Sequence, residues 1–343
     1  MLFRSRAARF SSLRGDARDA YLQHWVQHRI PLLRSAASAL RKLLCFLAYA
    51  DADDPDDQRT RARLTSIGYN PKPNAATRDR SPLAAFDPQQ ARRIAVDVLV
   101  IGSGAGGGAV ARDLARAGKR VMVIEAGALY DERSFPTRER DAYERLYLDS
   151  GFTATDDAHI AILAGGTVGG GTTVNWMTSI PVPDRVRAEW EERHGVTGIA
   201  SPRFKQDLNE VLREVGAQPA VSTAPKDAAL LRGAAGRGWS GEPIRINRAE
   251  CGDCGTCPFG CKRGSKQSTL RLHLPQALAA GAHLIPDCKA ERLIIEHGAV
   301  HGAVTTYGTR AGSPRTLEIV APQVVVSGGA LRTPDRKSTR LNS

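Results

Sequence analysis

The sequence has no apolar run long enough to cross a membrane. A spanning helix needs about 20 consecutive apolar residues, and the best candidate, residues 30–50, is broken by Pro31, Arg34, Arg41 and Lys42. No internal repeat is evident, which argues against a solenoid or propeller array. Aromatic residues are only 6% of the 343. The formal charge of +12 comes without a zinc-finger, helix-turn-helix or aromatic-rich RNA motif, so it does not read as nucleic-acid binding. Acids are scarce at the start, where only Asp16 and Asp19 face Arg6, Arg9, Arg14, Arg18, Arg29, Arg34, Arg41 and Lys42 before residue 50. Paired histidines are lacking too. His24 and His28 stand one turn apart in an N-terminal helical segment, and His159, His194, His273, His283, His297 and His301 show no partner spacing.

What is abundant is glycine, in two organised runs. Val96 to Ile101 is a short β-branched and aliphatic stretch, suited to a strand buried on both faces of a parallel sheet. Gly102, Ser103, Gly104, Ala105, Gly106 and Gly107 follow, with Gly102, Gly104 and Gly107 on the G-x-G-x-x-G spacing. Glycines there permit a tight strand-to-helix turn and close backbone approach to a pyrophosphate. Ala109, Val110, Leu114 and Ala117 then recur at helical spacing, so a helix N-terminus would face the phosphates. Lys119 to Ile124 reads as a second strand, closed by Glu125 and Ala126. An acid there, about 20 residues past the glycines, accepts ribose hydroxyls.

The second run is Ala164-Gly165-Gly166-Thr167-Val168-Gly169-Gly170-Gly171-Thr172-Thr173-Val174-Asn175-Trp176. It resembles the first signature of the glucose–methanol–choline (GMC) oxidoreductases, with Gly165, Val168, Gly169, Gly170, Gly171, Thr172, Val174 and Asn175 matching in order. Gly166 and Ser179 depart from the usual residues without touching the glycine core. Near the end, Ser327-Gly328-Gly329-Ala330-Leu331-Arg332-Thr333-Pro334 opens the second signature, which should continue into aliphatics but meets Asp335-Arg336-Lys337-Ser338 instead. The resemblance implies an α/β, Rossmann-like FAD-binding domain of GMC type, with backbone of the second run wrapping flavin and diphosphate. Asn175 and Trp176 would lie near the isoalloxazine, and backbone near Ala290 would meet the adenine.

Residues 335–343, and Leu2-Phe3-Arg4-Ser5 after Met1, read as translated sequencing adapter. The expected biological span is therefore 6–334: an N-terminal helical extension and linker (6–90), then a FAD-binding GMC domain (91–334) that is incomplete at its C-terminus. Residues 1–5 and 335–343 would be non-native. The basic start also resembles a transit peptide, a likeness that a foreign terminus would make accidental. Within the extension, Leu22, Trp25, Val26, Ile30, Leu33, Ala37, Leu40, Leu44 and Leu47 predict an amphipathic helix, or a pair hinged at Pro31. Asp51 to Asp57 ends it as a solvated turn, and Ile67-Gly68-Tyr69 leads into the linker. The apolar face suits packing, or peripheral attachment to a membrane surface; the expected location is cytoplasmic or membrane-associated.

Four of the six cysteines sit at Cys251, Cys254, Cys257 and Cys261. That spacing is close to a ferredoxin run but lacks the closing proline, Lys262 standing there. It leaves open an iron–sulfur cluster, zinc, disulfides or free thiols. Within the GMC resemblance the segment from Cys251 to Thr269 looks most like the long-chain fatty alcohol oxidase branch. Downstream, a helix is predicted over 272–280, strands over 282–286, 292–297, 302–307 and 317–320, and a return to the parallel sheet over 323–327.

The resemblance implies an FAD-dependent oxidoreductase acting on CH–OH groups. It would oxidise long-chain primary alcohols to aldehydes and pass electrons to oxygen or another acceptor. Its catalytic histidines would lie in a C-terminal part beyond residue 334. The other readings are a flavin and iron–sulfur electron-transfer subunit, or a sterol or sugar alcohol dehydrogenase.

Overall fold

A computed structural model describes residues 12–50, 58–66, 81–156, 160–220 and 224–338. The expectations for 1–5, 51–57, Ile67-Gly68-Tyr69, His159 and 339–343 lie outside the described residues. The chain divides into two compact units, one holding the N-terminal helices and the other beginning at Pro71.

The first unit contains α1 (Gly15–Val26), α2 (Pro31–Tyr49) and α3 (Gln58–Ser66). Pro31 opens α2 at its first turn. Its fixed φ suits that position and its missing N–H costs nothing there, so the expected hinge takes the form of a helix start. Leu32, Leu40, Leu43, Leu44 and Leu47 of α2 are exposed. No helix among the described residues is long and apolar enough to cross a membrane.

The second unit begins, in its described part, with β1 (Arg93–Ala95), β2 (Val98–Ile101), α4 (Ala105–Arg116) and β3 (Val121–Ile124). There follow α5 (Glu139–Leu146), α6 (Gly171–Val174), α7 (Asp184–His194), α8 (Pro202–Glu214), β4 (Ala217–Pro219), α9 (Pro225–Gly236) and β5 (Arg245–Asn247). The last part runs α10 (His273–Ala279), β6 (His283–Ile285), β7 (Cys288–Glu296), β8 (Ala299–Tyr307), β9 (Arg315–Val320), β10 (Gln323–Val326) and α11 (Gly329–Ser338). β10, β2, β3 and β6 lie side by side in that order, every pair parallel. A second sheet, in the order β1, β9, β8, β7, is antiparallel except where β1 joins β9.

Side-chain alternation along the central strands explains this layering. Successive residues of a strand point to opposite faces. Val98, Val100, Val121 and Val123 enter one core with Ala111 and Ala115 of α4 and Leu274 and Ala277 of α10. Leu99, Ile101, Met122 and Ile124 enter the other, against Ala290, Ala303, Leu317 and Ile319 of the second sheet. A strand covered by helices on one face and a sheet on the other has no polar side. That is why β2 and β3 read as unbroken apolar runs.

Residues ahead of Ala91 also pack within the second unit. Phe86 N–H donates to Leu284 O at 2.7 Å and its ring lies 4.7 Å from that of His283, while Leu83 packs against the core. Tyr307 Oη and Arg315 Nη1 add hydrogen bonds to Gln89 O at 2.7 and 3.0 Å. Truncating Leu99, wholly buried between the layers, to alanine should cost about 2–5 kcal/mol in urea unfolding. Leu230→Ala, at a side chain 73% exposed, should change stability by less than about 0.5 kcal/mol.

Candidate functional site

The carboxyl ends of β2, β3 and β10 converge on one point, the usual place for ligands in a parallel sheet. Gly102 follows β2 with φ +103°, in the region that favours glycine, and a Cβ there would lie 2.4 Å from Ser327 O. A Cβ on Gly107 would lie 1.9 Å from Gly102 O. These two glycines are demanded by the protein's own packing. Gly104 is different: its Cβ would meet nothing nearer than Gly170 Cα at 3.9 Å. Gly106 is equally open, with Ser327 Cβ nearest at 3.9 Å. Ala105 starts α4, whose N-terminus has no side-chain cap. A bare backbone beside an uncapped helix start suits a pyrophosphate.

The second run lies directly against the first. Ser103 is fully buried; its Oγ donates to Glu125 Oε2 at 2.7 Å and accepts Gly169 N–H at 2.9 Å. Ser103 N–H donates to the same carboxylate oxygen at 3.0 Å, and Gly127 N–H donates to Oε1 at 3.0 Å. A carboxylate has about four acceptor positions, so Glu125, half-buried, keeps one open on Oε1. Ala126 beside it is exposed. A Cβ on Gly165 would fall 2.4 Å from Gly170 C, and Gly170 has φ +52°, so the loop folds on itself without side chains. Gly171 opens α6 with nothing within 4 Å of a Cβ. Thr172 Oγ1 donates to Gly169 O at 2.6 Å and accepts Thr269 N–H at 3.1 Å, while Thr269 Oγ1 donates to Ser103 O at 3.1 Å.

Asn175 and Trp176 are both exposed, Trp176 by 62%. Asn175 spends its Oδ1 on Met177 N–H at 3.2 Å, leaving the amide NH2 for a ligand. Met177 has φ +66°, an uncommon conformation for a bulky side chain. Ala290 lies in β7 with its methyl buried among the core residues, so only its backbone could meet an adenine. Two residues earlier Cys288 N–H donates to Glu125 O at 2.8 Å, bringing the start of β7 beside that acid.

The four-thiolate cradle admitted by the cysteine spacing is not formed. Among the described residues no three His, Cys, Asp or Glu side chains are gathered so as to hold a metal ion, and Cys251, Cys254, Cys257 and Cys261 are free of disulfides. The sulfurs are taken locally: Cys251 Sγ accepts Asp253 N–H at 3.4 Å, Cys261 Sγ accepts Ser265 N–H at 3.3 Å, and Cys254 Sγ lies 3.2 Å from Thr256 Oγ1. Burial pushes the Cys257 thiol up to about 11. The group at the centre of this segment is Lys266, which its motif position did not distinguish. It is 2% exposed, and burial pushes its ammonium down to about 8, opposed by Cys257, Cys261 and Cys254. Glu132 and Arg271, both buried, form an ion pair just beyond it.

Ser103→Ala should lower stability by about 1–3 kcal/mol, because it strands the buried Gly169 N–H and removes one of the two hydrogen bonds to Glu125 Oε2. Thermal unfolding of Ser103→Ala beside wild type measures this directly.

Residues 143–336 match the GMC oxidoreductase family. A long-chain-alcohol oxidase of Arabidopsis thaliana, FAO3, is 34% identical over 251 residues, which is 71% of this chain and 34% of that protein. An uncharacterised GMC-type oxidoreductase of Mycobacterium tuberculosis is 34% identical over 330 residues, 90% of this chain and 48% of that one. The chain thus spans half or less of the length of these relatives. Among solved structures, pyridoxine 4-oxidase from Mesorbium loti superposes with a TM-score of 0.52 at 18% identity, over 69% of this chain and 50% of that one. With the glycine runs joined at the mouth of a parallel sheet and more than half of the chain matched, this protein belongs to the GMC oxidoreductase family.

Proposed function

We propose that this chain is the FAD-binding part of an enzyme that oxidises long-chain primary alcohols to aldehydes. The observation that carries the cofactor assignment is the bare Gly104–Gly170 contact beside the uncapped start of α4. Packing does not require glycine at position 104, so its lack of a side chain is best explained by a ligand that lies there. The Oε1 position left on Glu125 suits the adenosine ribose, and the exposed amide of Asn175 suits the flavin edge. The alcohol class rests on the similarity to long-chain-alcohol oxidases.

When bound, FAD would accept the hydride from the carbinol carbon, and oxygen or another acceptor would take the electrons onward. The residues of this chain bind and orient. The backbone N–H groups of Gly104 to Gly107 at the start of α4, with that of Gly171, would hold the diphosphate, since Gly169, Gly170 and Thr172 spend theirs inside the protein, and Glu125 would hold the ribose.

Titration of the chain with FAD, followed by quenching of flavin fluorescence, tests the assignment. Saturable binding is expected; none, under conditions where the protein is folded, would sink it. Gly104→Ala should change stability by less than about 1 kcal/mol yet weaken FAD strongly, whereas Gly107→Ala should destabilise the fold itself. Glu125→Ala should cost about 1–3 kcal/mol of FAD affinity for a hydrogen bond to a charged group. The alcohol class is checked separately, by aldehyde formation from a long-chain primary alcohol with an artificial electron acceptor present.

A further inference from the structure

A buried lysine needs a reason. Lys266 Nζ donates to Thr173 O at 2.7 Å, Asn175 O at 2.7 Å and Cys257 O at 2.8 Å. An ammonium has three donors and no acceptor, and here three carbonyls meet it, one for each N–H. A neutral amine would leave one of them unpaired. Two of these carbonyls belong to the second glycine run, on either side of Val174; the third is supplied by the cysteine-rich segment.

The same stretch carries backbone strain. Met177 adopts φ +66° just after Asn175, and strain of this kind persists only where its surroundings over-determine it. Asn175 Oδ1 accepts Met177 N–H at 3.2 Å, Met177 O accepts Asn247 N–H at 3.0 Å, and Ser179 Oγ donates to Met177 O at 3.0 Å. Asn247 is itself tied to the Lys266 segment, its Nδ2 donating to Gln267 O at 2.9 Å. The turn that presents Asn175 and Trp176 is therefore held from beneath by one cation and the residue after it.

We propose that Lys266 is a positioning residue, whose ammonium clamps the Thr173–Met177 turn and so sets the placement of Asn175 and Trp176 at the FAD site. The cysteine-rich segment then serves as the outer jaw of the clamp, contributing the Cys257 carbonyl rather than thiolates. The inference rests on the FAD reading for its consequence, though the clamp itself needs no cofactor.

Lys266→Met, which keeps the length of the side chain and removes all three donors, is the test in the full chain, with Lys226→Met on the surface of α9 as control. Hydrogen exchange in the cofactor-free protein should quicken at least about ten-fold at the amides of 173–177 in Lys266→Met and stay unchanged in the control. FAD Kd should rise by about ten-fold or more, as expected for lost hydrogen bonds to a charge. The visible circular dichroism of bound FAD, which reports the surroundings of the isoalloxazine, should also shift. A lower Tm with unchanged exchange at 173–177, unchanged Kd and an unchanged band would show Lys266 to be merely structural and would overturn the proposal. Should Lys266→Met not fold, Lys266→Gln, with two donors and no charge, decides by the same readouts, wild-type values overturning it. If wild type takes up no FAD, the FAD reading fails by itself, and exchange at 173–177 still supports or overturns the clamp.

Discussion

Everything at the mouth of the sheet depends on the Ser103 hydroxyl. It is buried, and within about one residue's width it links the turn after β2, the acid after β3 and the second glycine run. A hydroxyl has one donor and two acceptor lone pairs, and both roles are filled by groups from separate parts of the chain. Because each partner is buried or half-buried, an incomplete network would be worse than an apolar one. The loops must arrive together. Thr269 adds a further tie, donating through its hydroxyl to Ser103 O and through its N–H to Thr172. Two stretches of backbone with almost no side chains thereby acquire a fixed mutual geometry.

The sheet provides the platform on which this can happen. β10 pairs with β2 through Val326 and Ile101, and Ser327, the next residue, turns its hydroxyl back onto Ile101 O at 2.9 Å and Gly102 O at 3.1 Å. The chain thus returns after more than two hundred residues to close the first turn from its far side. Glycine at position 102 follows from that return, since Ser327 O occupies the place of its Cβ. Gly127 and Gly166 show the same logic one strand over: a Cβ on Gly127 would lie 2.2 Å from Gly166 O. Glycine in this region therefore serves two ends. At 102, 107 and 127 it lets backbone meet backbone, and at 104 it leaves space where, among the described residues, the nearest atom to a Cβ would be Gly170 Cα at 3.9 Å.

Much of the frame could be read from local pattern. The apolar run ending at Ile101, the glycine spacing and Glu125 each involve neighbours in sequence, and the strands expected over 292–297, 302–307 and 317–320 announce themselves by β-branched residues between turns, although the first of them begins earlier, at Cys288. The β10 return was legible for the same reason. Legibility failed where meaning depends on contacts across the chain. Nothing near Ser103 says that its hydroxyl meets a residue 66 positions on. Leu83 and Phe86 look like linker because prolines and charges surround them, yet they anchor the second unit. The cysteine spacing admitted metal ligation because spacing alone cannot report where four sulfurs point. In the fold, turns at Asp253 and Ser265 claim two of them through backbone N–H groups.

Lys266 is the sharpest case of what composition hides. Lysines are almost never fully buried unless paired, so one within a polar, glycine-rich stretch reads as surface. Burying an ammonium costs several kcal/mol even after relaxation, and three carbonyls, being dipoles and not charges, return only part of it. An apolar side chain of similar length would fill the volume at no such cost. What it could not do is hold three carbonyl oxygens, from two separate segments, at 2.7–2.8 Å from a single point. Carbonyls repel one another when brought together, and a cation at their focus is the simplest means of turning that repulsion into attraction. The gain lies in geometry: the backbone leading to Asn175 is fixed by charge from inside the protein, while Asn175 and Trp176 of the same turn stay exposed on its outward side.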